Sequence, residues 1–173
     1  MTEAPRRRGR PRTRPRQVDP GTPELQRHRR AAVGEADPCL AENPLGLMAA
    51  RGLITPAQAA AGGYYAVLYR RAVGRPYPSC AAHYQRLAVN YVPLPPDSGD
   101  EAEAEARRLF RLGKERLLAA GQRAARATEE LVVFGTRPAF LVGRRLQDKS
   151  GDTLYRAILA GLDALADCYG FTR

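Results

Sequence analysis

Residues 5–16 hold seven arginines and no acidic or large apolar side chain. Such a segment repels itself and has no apolar surface to bury, so it cannot fold on its own. Its three prolines, Pro5, Pro11 and Pro15, also exclude a regular helix. We therefore expect a disordered basic arm over residues 1–22, and the hydrophobic core must come from the rest of the chain.

The positive charge of the chain is concentrated in its first thirty residues. The whole sequence has a formal net charge of +10. Residues 1–30 contain ten arginines and three acids and carry +7, whereas the other 143 residues contain 18 bases and 15 acids and carry +3. We therefore expect a polyanion to bind the arm rather than the body of the protein.

The centre of the arm reads Arg8-Gly9-Arg10-Pro11, with further arginines on both sides. This string resembles the AT-hook, a short arm that lies extended in the minor groove of A·T-rich DNA. Glycine allows the backbone to approach the groove floor, proline keeps the chain extended, and arginine is attracted by the negative potential of a narrow groove. The resemblance implies that nine residues of the arm contact DNA: Arg6, Arg7, Arg8, Gly9, Arg10, Pro11, Arg12, Arg14 and Arg16.

Composition supports two other interpretations of the same arm. The chain has 26 arginines and only two lysines, so an Arg/Pro/Gly-rich tail can contain the Arg-Gly-Arg-Pro string without reading the minor groove. The arm would then bind the phosphate backbone without sequence preference, or it would serve as a solubilising tail. The sequence leaves all three interpretations open.

A short basic helix is predicted directly after the arm. Thr22 can cap it, Pro23 suits its first position, and it should run to about Ala32. A loop over residues 34–43 follows, and we separate residues 23–43 from the main helical domain. The arginines of this helix either lie in solvent or extend the positive surface of the arm toward phosphates; they are Arg27, Arg29 and Arg30.

Residues 44–73 predict a hairpin of two helices, because Gly52 can end the first helix and Thr55-Pro56 can start the second. A DNA-reading helix-turn-helix has the same outline. However, the first turns of the second helix offer Gln58 and otherwise only alanine and glycine, which are too few polar groups to read base edges. We therefore favour a structural hairpin with core-facing Ala61, Tyr65, Leu68 and Ala72. Its end supplies three more candidate phosphate contacts: Arg70, Arg71 and Arg75.

The helical domain, residues 44–173, is divided by a proline-rich loop near residues 92–100. A short helix is predicted just before this loop, over residues 79–91. The overall prediction is a mainly α protein, in which the disordered basic arm precedes a small multi-helix domain built of helical hairpins.

The second half of the domain predicts two further helices. The first starts at Glu101 with Asp100 as its cap and continues as one long helix, and the last runs from Thr153 to Tyr169 with Asp152 as its cap. Between them, Leu131–Phe134 is either a buried extended piece or a helix end. The residues predicted to form the core of the whole domain are Leu47, Leu53, Tyr65, Leu68, Phe110, Leu117, Leu154, Ile158, Leu162 and Leu165.

Two stretches of the chain resemble a helical domain of alphaproteobacterial regulators, among them activators of gene-transfer-agent and prophage genes. Residues 154–170 are similar to the closing helix of that domain, and Gly52-Leu53-Ile54 with Ala61-Gly62 and Tyr65 is similar to its opening. The resemblance implies a transcription-associated or phage-type DNA-binding protein. The longer regulators carry a separate polar recognition-helix domain upstream, which this sequence does not show, so the arginine arm is left as the DNA contact.

Patterns of catalytic and metal-binding residues are absent from the sequence. It contains no Walker loop, nucleophile elbow, H-E-x-x-H or dinucleotide fingerprint. Cys39, Cys80 and Cys168 are widely spaced, and neither His28 nor His83 has a second ligand at metal spacing. No apolar run reaches the roughly 18 residues of a membrane span, and there is no apolar signal sequence. We expect no catalytic residues, metal, cofactor or membrane partner, and a cytoplasmic, nucleoid-associated location.

Two functions agree with these expectations. One is a DNA-binding regulator of phage or gene-transfer-agent type, whose arm holds an A·T-rich minor groove or the phosphate backbone while its helical body contacts a protein partner such as RNA polymerase. The alternative is a phage packaging or structural adaptor, similar to a small terminase subunit, which binds DNA non-specifically. The regulator should be a monomer or a dimer, whereas a packaging ring should be much larger.

Overall fold

The computed structural model describes residues 21–34, 37–73, 100–142 and 149–171. Over these ranges the protein contains α-helices and two short 3-10 helices, and no strand, which confirms the mainly α prediction. The 3-10 helices are Pro38–Glu42 and Ala139–Leu141. The α-helices are α1 (Pro23–Val33), α2 (Pro44–Ala50), α3 (Pro56–Val73), α4 (Asp100–Ala119), α5 (Gln122–Val132) and α6 (Lys149–Tyr169).

Some predictions fall outside the described residues. These are the basic arm over residues 1–20, the short helix over residues 79–91 and most of the proline-rich loop. The division of the chain into an arm, a short basic segment and a helical domain stays a prediction.

Caps read from the sequence start the first helices. The Thr22 side chain accepts a hydrogen bond of 3.3 Å from the backbone N–H of Leu25 at the start of α1. At the start of α3, Thr55 and Gln58 form a reciprocal capping box, in which each side chain accepts from the backbone N–H of the other, at 3.2 and 2.8 Å. Gly52 takes a φ of +66° in the turn before α3. The predicted hairpin is therefore confirmed.

Helix α3 lies at the centre of the described fold and packs against α2, α4, α5 and α6. All of its residues from Gln58 to Gly63 are buried. The small side chains in this stretch let the neighbouring helices approach closely, since a Cβ added to Gly62 would lie 3.0 Å from both Leu45 and Leu162. The N-terminal half of α3 is therefore enclosed by protein.

Helices α3 and α6 run parallel to each other. The Gln58 side-chain amide donates a 2.9 Å hydrogen bond to Asp163 Oδ1 near the start of α3. Further along both helices, the rings of Tyr64 and Tyr169 meet edge to face with centroids 4.8 Å apart. Residue numbers thus rise together along the two helices. These two contacts fix the position of the last helix, α6, along the central helix, α3.

Two tyrosines place hydroxyl groups inside this helical core. Tyr65 is fully buried, donates a 2.7 Å hydrogen bond to Glu129 Oε1 and stacks on Phe110 with a centroid distance of 5.4 Å. Burial, together with the Glu129 carboxylate, raises the pKa of Tyr65 far above its ordinary range. Burial also raises the pKa of Tyr169, whose hydroxyl donates to the Leu109 carbonyl oxygen at 3.4 Å. Both hydroxyls therefore keep their protons in the folded protein.

A long helix starts where it is predicted, as α4, but its predicted continuation as one helix is wrong, because the structure divides it into α4 and α5. The break lies at Gly121, whose φ of +118° is unfavourable for any residue with a Cβ. As a consequence Ala120 is exposed, although a continuous helix would place it on the same face as the buried Phe110 and Leu117. The Leu131–Phe134 segment is the end of α5, so the helix-end alternative is correct.

The start of the last helix also differs from the prediction. Helix α6 begins at Lys149, so Asp152 lies within its first turn and is not the residue that caps it. There its carboxylate forms a 2.8 Å ion pair with Arg156 and lies near the positive end of the helix dipole. Gly170, with a φ of +72°, ends the helix as predicted.

Most of the predicted core is buried, whereas Leu53 and Leu154 are only partly buried at its edge. The buried members are Leu47, Tyr65, Leu68, Phe110, Leu117, Ile158, Leu162 and Leu165.

We predict that Gly161→Ala destabilises the fold by about 1–3 kcal/mol, because a Cβ at this position would overlap the Thr128 hydroxyl and lie 3.2 Å from the Ala124 carbonyl oxygen. In an open helical position the same change would stabilise the protein. Urea denaturation of the single variants and of Thr128→Ala/Gly161→Ala tests the contact. The double variant should lose less stability than the sum of the two single changes. If the stability losses of the two single variants add up strictly in the double variant, the close contact between Thr128 of α5 and Gly161 of α6 is contradicted.

A second prediction concerns alkaline pH. In the unfolded chain Tyr65 and Tyr169 should release their protons near pH 10, whereas the folded protein retains them. The unfolded state then binds fewer protons, so stability should fall as the pH rises above about 10, by up to about 1.4 kcal/mol per pH unit for each tyrosine. Urea denaturation between about pH 9 and 11 should show a shallower fall for Tyr65→Phe than for the parent protein. Equal slopes would show that Tyr65 does not hold its proton.

Candidate nucleic-acid interface

The arm residues predicted to bind DNA, Arg6 to Arg16, lie outside the described residues, and so does Arg75. The described chain begins at Gly21, directly before the Thr22 cap of α1. Helix α1 is therefore the first described element after the arm, and its surface is the part of the candidate interface whose geometry can be given.

Helix α1 presents two of its three candidate arginines to solvent. Val33 is its only buried residue, and the helix packs with one side on the first 3-10 helix and on α2. Arg27 and Arg30 are exposed and form no ion pair with any described residue. His28 is exposed on the same helix and lines a shallow groove together with Arg27. Two guanidinium groups that no described acid neutralises thus lie on the exposed surface of α1.

Arg29 has a structural role. Its guanidinium forms an ion pair with Glu42 of the first 3-10 helix, and only 16% of the arginine side chain is exposed. That 3-10 helix is capped by Asp37, which accepts a 2.9 Å hydrogen bond from the backbone N–H of Cys39. The Arg29–Glu42 pair therefore connects α1 to the next element of the chain.

Two further arginines join this N-terminal region to the body by binding backbone carbonyl oxygens. Arg51 donates from Nη1 to Leu141 O at 3.0 Å and from Nε to Ala32 O at 3.5 Å. Ala32 lies in the last turn of α1, where carbonyl groups lack partners within the helix. Arg137 donates to Ala41 O at 3.0 Å. Sequence reasoning missed the contacts of Arg51 with Leu141 and of Arg137 with Ala41, since they join residues 90 and 96 positions apart and no local pattern marks them.

The candidate arginines at the end of α3 form a separate feature. Arg70 Nε donates to Ala66 O at 3.2 Å, and Arg71 is exposed. Positive charge in the last turn of a helix is favoured by the helix dipole whether or not a ligand is present. Helix α1 packs on the first 3-10 helix and α2, so the described contacts do not join these arginines to Arg27 and Arg30 in one patch.

Some arginines on the long helices are paired with acids one turn away, whereas Arg111, Arg116 and Arg123 are exposed and form no ion pair with a described residue. Four such ion pairs have N–O distances of 2.7 to 2.9 Å: Arg107–Glu103, Arg108–Glu105, Arg126–Glu130 and Arg156–Asp152. The Arg108 guanidinium also lowers the pKa of the Glu105 carboxyl through their hydrogen bonds. These exposed pairs add little to stability, but they reduce the attraction of the long helices for a polyanion.

The N-terminus of α3 cannot serve as a recognition helix in the described fold. Gln58, its one polar group suited to reading a base, is buried and is held by Thr55 and Asp163. This burial supports the structural interpretation of the hairpin over the helix-turn-helix interpretation. Any DNA contact by the described residues must use other surfaces.

Among the described residues, no cluster of three or more His, Cys, Asp or Glu side chains is arranged to hold a metal ion. Within the same ranges no helix is both long enough and apolar enough to cross a membrane. Comparisons of the chain with protein-family models, with curated protein sequences and with solved structures find no match.

We predict that Arg29→Ala loosens α1 from the body, whereas Arg27→Ala does not. Removal of Arg29 leaves Glu42 without its ion-pair partner and should cost about 1 kcal/mol, because the pair is only partly exposed to water. Hydrogen–deuterium exchange should show faster exchange of α1 amides in Arg29→Ala, with Arg27→Ala as the matched control. Equal exchange in the two variants would contradict the structural role of Arg29.

Proposed function

We propose that the protein is a DNA-binding regulator that holds DNA through its arginine-rich arm and uses the free face of α1 as an adjoining phosphate contact. The observation that carries this proposal is the distribution of uncompensated charge. Arg27 and Arg30 lie on the helix that follows the arm and form no ion pair with a described residue, while four arginines of the long helices are bound to acids. A duplex that reaches the arm would therefore find its next cationic groups on α1.

Sequence preference would come from the arm and not from the helical body. Because the start of α3 is enclosed by neighbouring helices, α3 cannot present a recognition helix to the major groove. Arg8 and Arg10, with Gly9 between them, have the chemistry to enter a narrow A·T-rich minor groove. The arm then anchors the protein on the nucleoid while the helical body contacts a protein partner such as RNA polymerase, as the resemblance to phage and gene-transfer-agent regulators implies.

The first test of this function is the salt dependence of binding to a DNA duplex. If the arm neutralises about three to six phosphates, log K should fall with log salt at a slope of about −3 to −5, and a chain that lacks residues 1–17 should lose most of that slope. Fluorescence anisotropy with a labelled duplex measures the affinity and its salt slope for the full and the shortened chain. An unchanged affinity of the shortened chain would refute binding through the arm.

Minor-groove reading is tested by comparing A·T-rich with G·C-rich duplexes. Arg8→Ala or Arg10→Ala should cost about 1–3 kcal/mol on A·T-rich DNA and abolish the preference, whereas Arg14→Ala should weaken binding to both duplexes alike. If every arginine change costs the same on both duplexes, the arm binds phosphates without reading the groove.

The contribution of α1 is tested on the same duplexes. Arg27→Ala/Arg30→Ala should reduce the magnitude of the salt slope by about 1 to 2, because each side chain would lose one phosphate contact. Arg126→Ala is the matched control, since this exposed arginine is bound to Glu130. If both variants bind with the parent slope, α1 does not contact DNA.

A further inference from the structure

A groove of about 400 Å³ lies between the C-terminal parts of α4 and α6. These helices run antiparallel, because Tyr169 near the end of α6 reaches back to Leu109 of α4, while the earlier Ala164 lines the groove with Ala119 and Ala120 at the end of α4. Alanine side chains at these positions would let another helix approach closely.

The groove also carries one positive and one negative side chain on its two opposing helices. Arg116 belongs to α4 and Asp167 to α6, and both are exposed. Neither forms an ion pair with a described residue, in contrast to Arg107 and Arg108, which are bound to acids on the same helix. The groove therefore presents two opposite charges that no described side chain pairs with.

We propose that a second copy of this chain occupies the groove, forming a two-fold dimer in which Arg116 of each copy pairs with Asp167 of the other. A two-fold interface must be self-complementary, because the same surface supplies both sides. One cation on α4 and one anion on α6 meet this condition. A two-fold rotation about an axis parallel to the two helices places α4 of one copy against α6 of the other, so each arginine faces an aspartate. A groove with a single sign of charge would repel its own copy.

The dimer would have a direct consequence for DNA binding, and this consequence rests on the proposed function. Two arms on one particle can bind neighbouring sites on the same duplex, and such linkage can raise the overall affinity by about 10²–10⁴ without any new contact. Dimerisation itself does not depend on DNA, so it is measured in its absence. Failure of the dimer and failure of arm-mediated DNA binding are therefore separate results.

Sedimentation equilibrium of the full chain at low ionic strength tests the proposal. The parent protein should show twice the chain mass of 19.0 kDa. Arg116→Asp and Asp167→Arg should each weaken dimerisation by about 10- to 100-fold, because each change places like charges together at two symmetric positions. The double variant Arg116→Asp/Asp167→Arg should recover most of the parent affinity, because it exchanges the two charges.

Lys114→Asp is the matched control, because this exposed cation lies on α4 away from the groove and undergoes a charge reversal of the same kind. It should leave the mass unchanged, and circular dichroism should confirm that every variant keeps its helix content. A monomeric parent protein, a ring larger than a dimer, equal weakening by Lys114→Asp, or a double variant that does not recover would each overturn the proposed interface.

Discussion

The enclosure of α3 by four other helices is the constraint on which the rest of the described structure depends. Its first turns consist of alanine and glycine between Gln58 and Gly63, so Leu45 and Leu162 can pack directly against its backbone. The same small residues leave no side chains there to read DNA. A helix that resembles a recognition helix in outline is thus the centre of the core, and any nucleic-acid contact is left to the periphery.

Arginine performs three different tasks in this protein. Arg51 and Arg137 bind backbone carbonyl oxygens and hold the N-terminal elements to the body. Four arginines on the long helices pair with acids one turn away, as in Arg126–Glu130. Arg27 and Arg30 form no ion pair with a described residue. High arginine content alone therefore does not mark a DNA-binding surface. The assignment of α1 depends on two exposed guanidinium groups without a described acidic partner, on the helix that directly follows the arm.

Local signals in the sequence predicted the helix class, the cap at Thr22 and the turn at Gly52, because each depends on residues within one turn of the chain. The break at Gly121 was missed, since the apolar spacing continues across it and only the backbone conformation reveals it. The pairing of Gln58 with Asp163 joins residues 105 positions apart, and no local pattern carries such information. For the candidate interface, the exposed Arg27 and the structural Arg29 look alike in sequence and differ only in what packs beside them.

The most direct test of the account is to locate the DNA contact on the protein by NMR titration of the ¹⁵N-labelled full chain with an A·T-rich duplex. The account predicts that signals of the arm residues Arg6 to Arg16 shift first and most, that Arg27 and Arg30 of α1 follow, and that Gln58 of α3 is unaffected. Shifts confined to the long helices, with the arm and α1 unchanged, would contradict it.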